Sequence, residues 1–206
     1  MSKISVMKKR AVFLDRDGTL NQDVGYPNSY SMLEIFPYSF EAVRKINAAG
    51  LLAVIVTNQS GIGRGYIEEK NLHHIHRRMA LDFTHQNARF DGIYYCPHYE
   101  HSESPEYREA CFCRKPGIGM ARQAVRDLNI DTTQSYMIGD KVEDILFGIN
   151  IKAKPILVLT GFGPSSLLNL KGKGIEPAYL AQNVLDAVDW IIRKKKEAPP
   201  PKVRKP

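Results

Sequence analysis

Short continuous apolar runs alternate with segments of helical period along the whole chain, and this alternation limits the possible folds more than any other feature. Apolar runs of strand length that do not themselves alternate are buried on both faces, the condition of a parallel sheet covered by helices. The pattern predicts strands at Ala11–Leu14, Leu51–Thr57, Phe90–Cys96, Ser135–Gly139 and Pro155–Thr160. Helices are predicted at Ser39–Ala49, closed by Gly50, and at Ile67–Asn87, Met120–Leu128, Val142–Asn150 and Asn183–Arg193. We therefore expect an α/β fold with a mostly parallel sheet. No repeat or linker breaks residues 11–192, so they are read as one domain, which suits a chain of 206 residues.

The net charge of +7 raises the question of nucleic acid, and its distribution answers it. Lys3, Lys8, Lys9 and Arg10 lie in residues 1–10, and seven basic residues face only Glu197 in residues 193–206; the body keeps 18 basic against 21 acidic residues. Residues 1–10 are thus a basic extension, and the Pro-rich segment RKKKEAPPPKVRKP is expected to be a disordered tail, having too little apolar surface to fold. Neither nucleic acid nor membrane is expected as a partner. The start MSKISVMKKR is basic but leads into no apolar signal core, so a cytoplasmic location is expected.

In open α/β sheets the ligand site lies beyond the carboxyl ends of the strands. Polar residues gather there: Asp15 and Asp17 after the first predicted strand, Thr57 and Asn58 at the end of the second, Asp140 after the fourth. Taken alone, DRDGT is most simply an acidic turn. Its functional reading is a nucleophilic carboxylate paired with a general acid and base. An anionic nucleophile meets a phosphate dianion only if a hard cation and fixed donors neutralise the phosphoryl oxygens. Asp140 can join Asp15 around Mg²⁺, Thr57 can donate a hydroxyl, and Lys115 can bring a positive charge.

A second constellation is Cys96-x-His98 followed by Cys111-x-Cys113. An odd count of cysteines in a reducing compartment makes no disulfide framework, and three thiols beside an imidazole form a closed, structural zinc set. The expected zinc loop spans residues 96–113, and Cys113 directly precedes Arg114 and Lys115.

The segments DRDGTLNQDVGY, TNQSGIGRG, DGIYYCPH, CRKPG and GDKVED, in this order over about Ala11–Ala153, resemble the haloacid dehalogenase-like phosphatases. Within them the likeness is to the branch that acts on a heptose bisphosphate and feeds the synthesis of nucleotide-activated heptose. The resemblance implies a Rossmann-like three-layer sandwich with a minimal cap and a zinc-binding loop, a catalytic Mg²⁺, a structural Zn²⁺ and a small phosphorylated sugar as substrate for a monomeric enzyme. It implies Asp15 as nucleophile and Asp17 as proton donor and later base. The magnesium ligands would be Asp15, Asp140 and the backbone carbonyl of Asp17, and the zinc ligands Cys96, His98, Cys111 and Cys113. Thr57 and Lys115 would stabilise the phosphoryl group. Asp23, Val24, Gly25, Tyr26, Asn58, Gln59, Ser60, Arg114 and Lys141 would line the substrate site. Histidinol-phosphate phosphatases share the two acids and a similar zinc loop, although DVGY favours the heptose branch. Polynucleotide 3′-phosphatases share the aspartate pair and the TNQ strand end, and would give the basic tail a purpose.

The chain has KPGIGM where the resemblance leads to KPHPGM, so contacts directly after Lys115 are expected to differ. Asp144 is read either as a support for Lys141 or a metal-bound water, or as a surface acid at a helix N-terminus. His73, His74, His76, His85 and His101 are read as surface or packing residues, and Trp190 as core. GIGRG lacks the ending of a phosphate-binding P-loop, so no nucleotide site is expected from it.

Overall fold

The computed structural model describes residues 7–108 and 111–197. Its strands are β1 (Ala11–Leu14), β2 (Leu52–Asn58), β3 (Gly92–Cys96), β4 (Tyr136–Gly139), β5 (Lys154–Val158) and β6 (Tyr179–Ala181). Its helices are α1 (Pro37–Ala48), α2 (Glu69–His85), α3 (Pro105–Arg108), α4 (Gly119–Leu128), α5 (Val142–Asn150), α6 (Gly163–Gly172) and α7 (Val184–Glu197). The strands form one sheet in the order β3-β2-β1-β4-β5-β6, with every pairing parallel. The expected α/β architecture is therefore present.

Period-two alternation along β1 divides the interior between the two faces. Val12 and Leu14 join Ala42, Val43 and Ile46 of α1, Met79 and Phe83 of α2, and Val188 and Ile191 of α7. Ala11 and Phe13 point the other way, to Met120, Ala121 and Ala124 of α4 and Phe147 of α5. Phe13 and Phe147 meet edge-on with ring centroids 6.3 Å apart. Truncating Phe147 to alanine would remove that contact and cost about 3–5 kcal/mol.

Most boundaries move by one or two residues, for local reasons. Helix α1 begins at Pro37 rather than Ser39, because proline at the first helical position has the helical φ and needs no N–H partner. Segment 161–182, to which the sequence reading assigns no element, holds α6 and the three-residue edge strand β6. Helix α7 runs to Glu197, so residues 193–197, expected in the tail, are its last turn; the rest of the expected tail, 198–206, lies outside the described residues. Lys9, expected in the extension, donates its N–H to Asn129 O at 2.8 Å and forms an isolated parallel bridge with Ile130. Among the described residues no helix is long and apolar enough to cross a membrane.

The strand order reverses direction between β1 and β4, so the loops leaving these neighbours diverge and open a crevice at their carboxyl ends. Asp15 and Asp140 directly follow these two strands.

Candidate active site

The floor of the crevice is built around a buried lysine. Lys115 Nζ donates to Asp15 Oδ1 at 2.7 Å and to Val56 O at 2.8 Å. It also lies 2.6 Å from Asp144 Oδ1, an ion pair without well-directed hydrogen-bond geometry. Burial alone would lower the pKa of Lys115, but Asp144 and Asp15 hold it above its usual range, so the ammonium persists. Asn58, at the end of β2, fixes the backbone beneath: Lys115 N donates to Asn58 Oδ1 at 3.0 Å, and Asn58 Nδ2 donates to Lys115 O at 3.3 Å. Asn58 lines the cavity as expected, yet its amide is engaged in placing Lys115.

Asp15, Asp140 and Asp144 offer carboxylate oxygens that all lie within 4.8 Å of one another. Burial raises Asp15 to about 6, with Lys115 opposing the shift and Asp144 adding to it. Asp140 rises to about 8 through burial, followed by repulsion from Asp15 and Asp144. Asp140 Oδ2 accepts from Phe162 N at 2.7 Å, whereas its buried Oδ1 has no hydrogen-bond partner among the described residues. Gly18 makes room for this carboxylate: its φ is +80°, and a Cβ there would sit 2.2 Å from Asp140 Oδ2. Three crowded acids with only oxygen donors and one orphaned oxygen fit a hard divalent cation. Asp144 is thus a buried member of this cluster, 1% exposed, which overturns its reading as a surface acid.

The Asp17 side chain belongs to a different network. Its Oδ1 accepts from Arg16 Nε at 3.0 Å, Arg16 NH2 at 2.9 Å and Asn21 Nδ2 at 2.9 Å. Its Oδ2 accepts from Arg16 NH2 at 2.7 Å and Gln59 Nε2 at 2.9 Å. Burial would raise its pKa, but the Arg16 charge and these hydrogen bonds bring it below the usual carboxylate value. Gln59 Nε2 also donates to Thr57 Oγ1 at 2.9 Å, joining the network to the end of β2. Arg16, fully buried, reaches His76 Nε2 at 3.1 Å with NH1.

Above this floor lies a cavity of about 850 Å³. Asp15, Asp17, Thr57, Gln59, Ser60, Arg114, Lys115 and Lys141 line it, as do Asp23, Gly25 and Tyr26; Val24 does not. Lys141 pairs with Asp23 at 2.9 Å and sits 4.8 Å from the centroid of the Phe162 ring. Arg16, Arg64, Tyr99 and Phe162 are not among the residues expected from sequence, and His76 is expected there only as a surface or packing residue. A signal existed for His76, since Leu72, Ile75, His76, Met79 and Phe83 recur at helical spacing and mark the inward face of α2. Arg64 lies over the Tyr99 ring, 3.6 Å from its centroid, on the wall of the cavity.

The cysteine–histidine set also assembles. Cys96 Sγ lies 3.3 Å from Cys111 Sγ and 3.5 Å from His98 Nδ1, and His98 Nδ1 lies 3.2 Å from Cys113 Sγ. Tetrahedral zinc with Zn–S bonds of 2.3 Å would space its ligands about 3.7 Å apart, so the donors need little movement to hold it. The neighbouring Cys96 lowers the Cys113 thiol to about 5, against burial, so one thiolate forms readily. Arg114 N donates to Cys111 Sγ at 3.3 Å. The departure at KPGIGM shows as close packing here: a Cβ on Gly117 would lie 2.6 Å from Phe112 O. The expected zinc set is therefore compatible with one closed metal site.

The sheet order and the acid cluster at its switch point define a haloacid dehalogenase-like hydrolase. A family model described as HAD-hydrolase-like matches residues 112–187. The chain is 42% identical over 188 residues to the D-glycero-beta-D-manno-heptose-1,7-bisphosphate 7-phosphatase of Haemophilus influenzae, covering 91% of this chain and 99% of that one. It is 47% identical to the protein of the same name from Pasteurella multocida, over 74% of this chain and 83% of that one. Among solved structures, the D,D-heptose 1,7-bisphosphate phosphatase of B. bronchiseptica, complexed with magnesium and phosphate, superposes with a TM-score of 0.79. It is 28% identical, covering 90% of this chain and 99% of that one. The chain belongs to the family of the D-glycero-D-manno-heptose-1,7-bisphosphate 7-phosphatases.

Proposed function

We propose that this chain is a magnesium-dependent phosphatase that removes the 7-phosphate of D-glycero-D-manno-heptose 1,7-bisphosphate through an aspartyl phosphate on Asp15, in heptose biosynthesis. The observation that carries the reading is the contact of Asp15 with Lys115 at 2.7 Å, on the cavity floor and beside two further carboxylates. Asp15 attacks phosphorus, the P–O bond to the sugar breaks, and the electron pair leaves on the sugar oxygen, which takes a proton from Asp17. Asp17 then accepts a proton from the water that attacks the aspartyl phosphate, which returns Asp15 as a carboxylate and releases inorganic phosphate. Lys115 and the Thr57 hydroxyl stabilise the phosphoryl oxygens.

Asp15, Asp140 and the Asp17 carbonyl, with Asp144 beside them, would hold Mg²⁺, which when bound would neutralise charge on the transferring phosphoryl group. Zn²⁺ at Cys96, His98, Cys111 and Cys113 would fix the loop that presents Arg114 and Lys115 to the cavity. Arg114, Lys141 and the Asp23–Tyr26 turn would receive the sugar. Residues 11–192 act in this reading as one catalytic domain, in a cytoplasmic monomer.

The test compares kcat/KM for heptose 1,7-bisphosphate, histidinol phosphate and a 3′-phosphorylated oligonucleotide at one salt concentration with Mg²⁺. A preference of about a hundredfold for the bisphosphate, roughly 2.7 kcal/mol of transition-state binding, supports the assignment. Preference for either of the others would keep the chemistry and overturn the substrate.

A further inference from the structure

We infer that His76 and Arg16 are positioning residues that hold Asp17 in place for proton transfer to the leaving group. The inference rests on Asp17 being the proton donor of the proposed reaction. Asp17 accepts five hydrogen bonds, three of them from Arg16, so the guanidinium sets both the rotamer and the orientation of the ionised carboxylate, and one of these contacts opens when Asp17 carries the proton that it donates. Arg16 is itself fully buried, and among the described residues Asp17 is its only carboxylate partner. A buried guanidinium whose Nε and NH2 reached only Asp17 and, at 3.2 Å, Gln59 Oε1 could still tilt about that edge. His76 removes this freedom from the opposite side, at 3.1 Å from NH1.

The chemistry of the two groups fixes the direction of this bond. Arginine has only donors, so Nε2 of His76 must be the acceptor and Nδ1 must carry the proton. His76 is therefore a neutral anchor projecting from α2, 60 residues away in sequence, into the first strand–loop junction. Gln59 completes the frame by donating to both Asp17 and Thr57, so the proton donor and the phosphoryl-binding hydroxyl share one rigid support. The surrounding shell of a catalytic group commonly sets its geometry in this way, and a misplacement of about 1 Å can cost about a hundredfold in rate.

Leaving groups of different basicity separate this role from a merely structural one. The alkoxide of a sugar needs a proton as it departs, whereas p-nitrophenolate does not, and kcat/KM reports the steps through P–O cleavage. His76→Leu is expected to lower kcat/KM for the heptose bisphosphate by about 10- to 100-fold and that for p-nitrophenyl phosphate by less than about threefold. His76→Gln, whose amide oxygen can replace Nε2, is expected to recover most of the loss. If His76→Leu does not fold, Arg16→Lys carries the test, because lysine keeps the charge but cannot bridge Asp17 and His76 together. Equal losses on both substrates, or no loss on either, would overturn the inference. Asp17→Asn is the control: if it lacks the same selectivity for the sugar substrate, the reading of Asp17 fails; if it has the selectivity and the others do not, the positioning role fails.

Discussion

Acidification should weaken the fold through His76 in a way that a single substitution removes. His76 is 6% exposed, and burial, followed by the charge of Arg16, lowers its pKa from 6.5 to about 3. A depressed folded-state value means that the unfolded chain binds the proton first, so stability present above pH 6.5 is lost as pH falls toward 3. At pH 5 the unfolded histidine is almost fully protonated and the folded one is not, so the loss relative to pH 7 is about 2 kcal/mol. For a chain of this size that corresponds to roughly 4–8 °C in Tm. His76→Gln cannot titrate, and its baseline change in stability is the same at both pH values. The assay is urea or thermal unfolding of the two proteins at pH 7 and pH 5, and the difference between them should close by about 2 kcal/mol in favour of the variant at pH 5. A difference that stays constant across this range would refute the claim that His76 is held neutral by burial against Arg16.

Three further outcomes follow from the buried charges and the thiol set. Lys115→Met leaves Asp15 and Asp144 buried without their cation, and should destabilise the metal-free protein by about 3–5 kcal/mol in urea unfolding with a chelator present. Asp140→Asn should act in the opposite direction, stabilising the metal-free protein by relieving the three-acid cluster, while raising the Mg²⁺ concentration for half-maximal activity at least about tenfold. Cys113→Ser should abolish stoichiometric zinc, measured by metal analysis, and lower kcat/KM about 10- to 100-fold through Arg114 and Lys115; full activity in zinc-free protein would contradict the positioning role of the loop.

The sheet and the strand-end residues were legible because each depends on local pattern. Continuous apolar runs mark β1, β2 and β4, and the first polar residue after each falls at the crevice by topology alone, which is why Asp15, Thr57 and Asp140 can be named from sequence. The cysteine–histidine set is legible as a candidate metal site because its chemistry admits few other uses. What stayed hidden depends on contacts far apart in the chain. Asp144 reads from sequence either as a support for Lys141 or a metal-bound water or as a surface acid in the first turn of α5, and only the arrival of Lys115 over the end of β2 shows its ion pair with that lysine. His76 reads with four other histidines as a surface or packing residue, although its spacing with Leu72 and Met79 places it inward; its partner Arg16 gives no signal from position alone. Helix α6 and strand β6 were missed because one begins with Gly163 and Pro164 and the other is three residues long, too short for either period to register.

The covalent step is the centre of this account, and trapping it is the most direct test. Asp17→Asn should let Asp15 take the phosphoryl group from an aryl phosphate and then slow its hydrolysis, since the asparagine cannot accept the proton of the attacking water. Acid quench during turnover with Mg²⁺, followed by peptide mass spectrometry, should find a mass gain of one phosphoryl group on the peptide carrying Asp15 and none when Asp15 is also changed to Asn. A phosphoryl group on another residue, or full turnover by Asp15→Asn alone, would contradict the account.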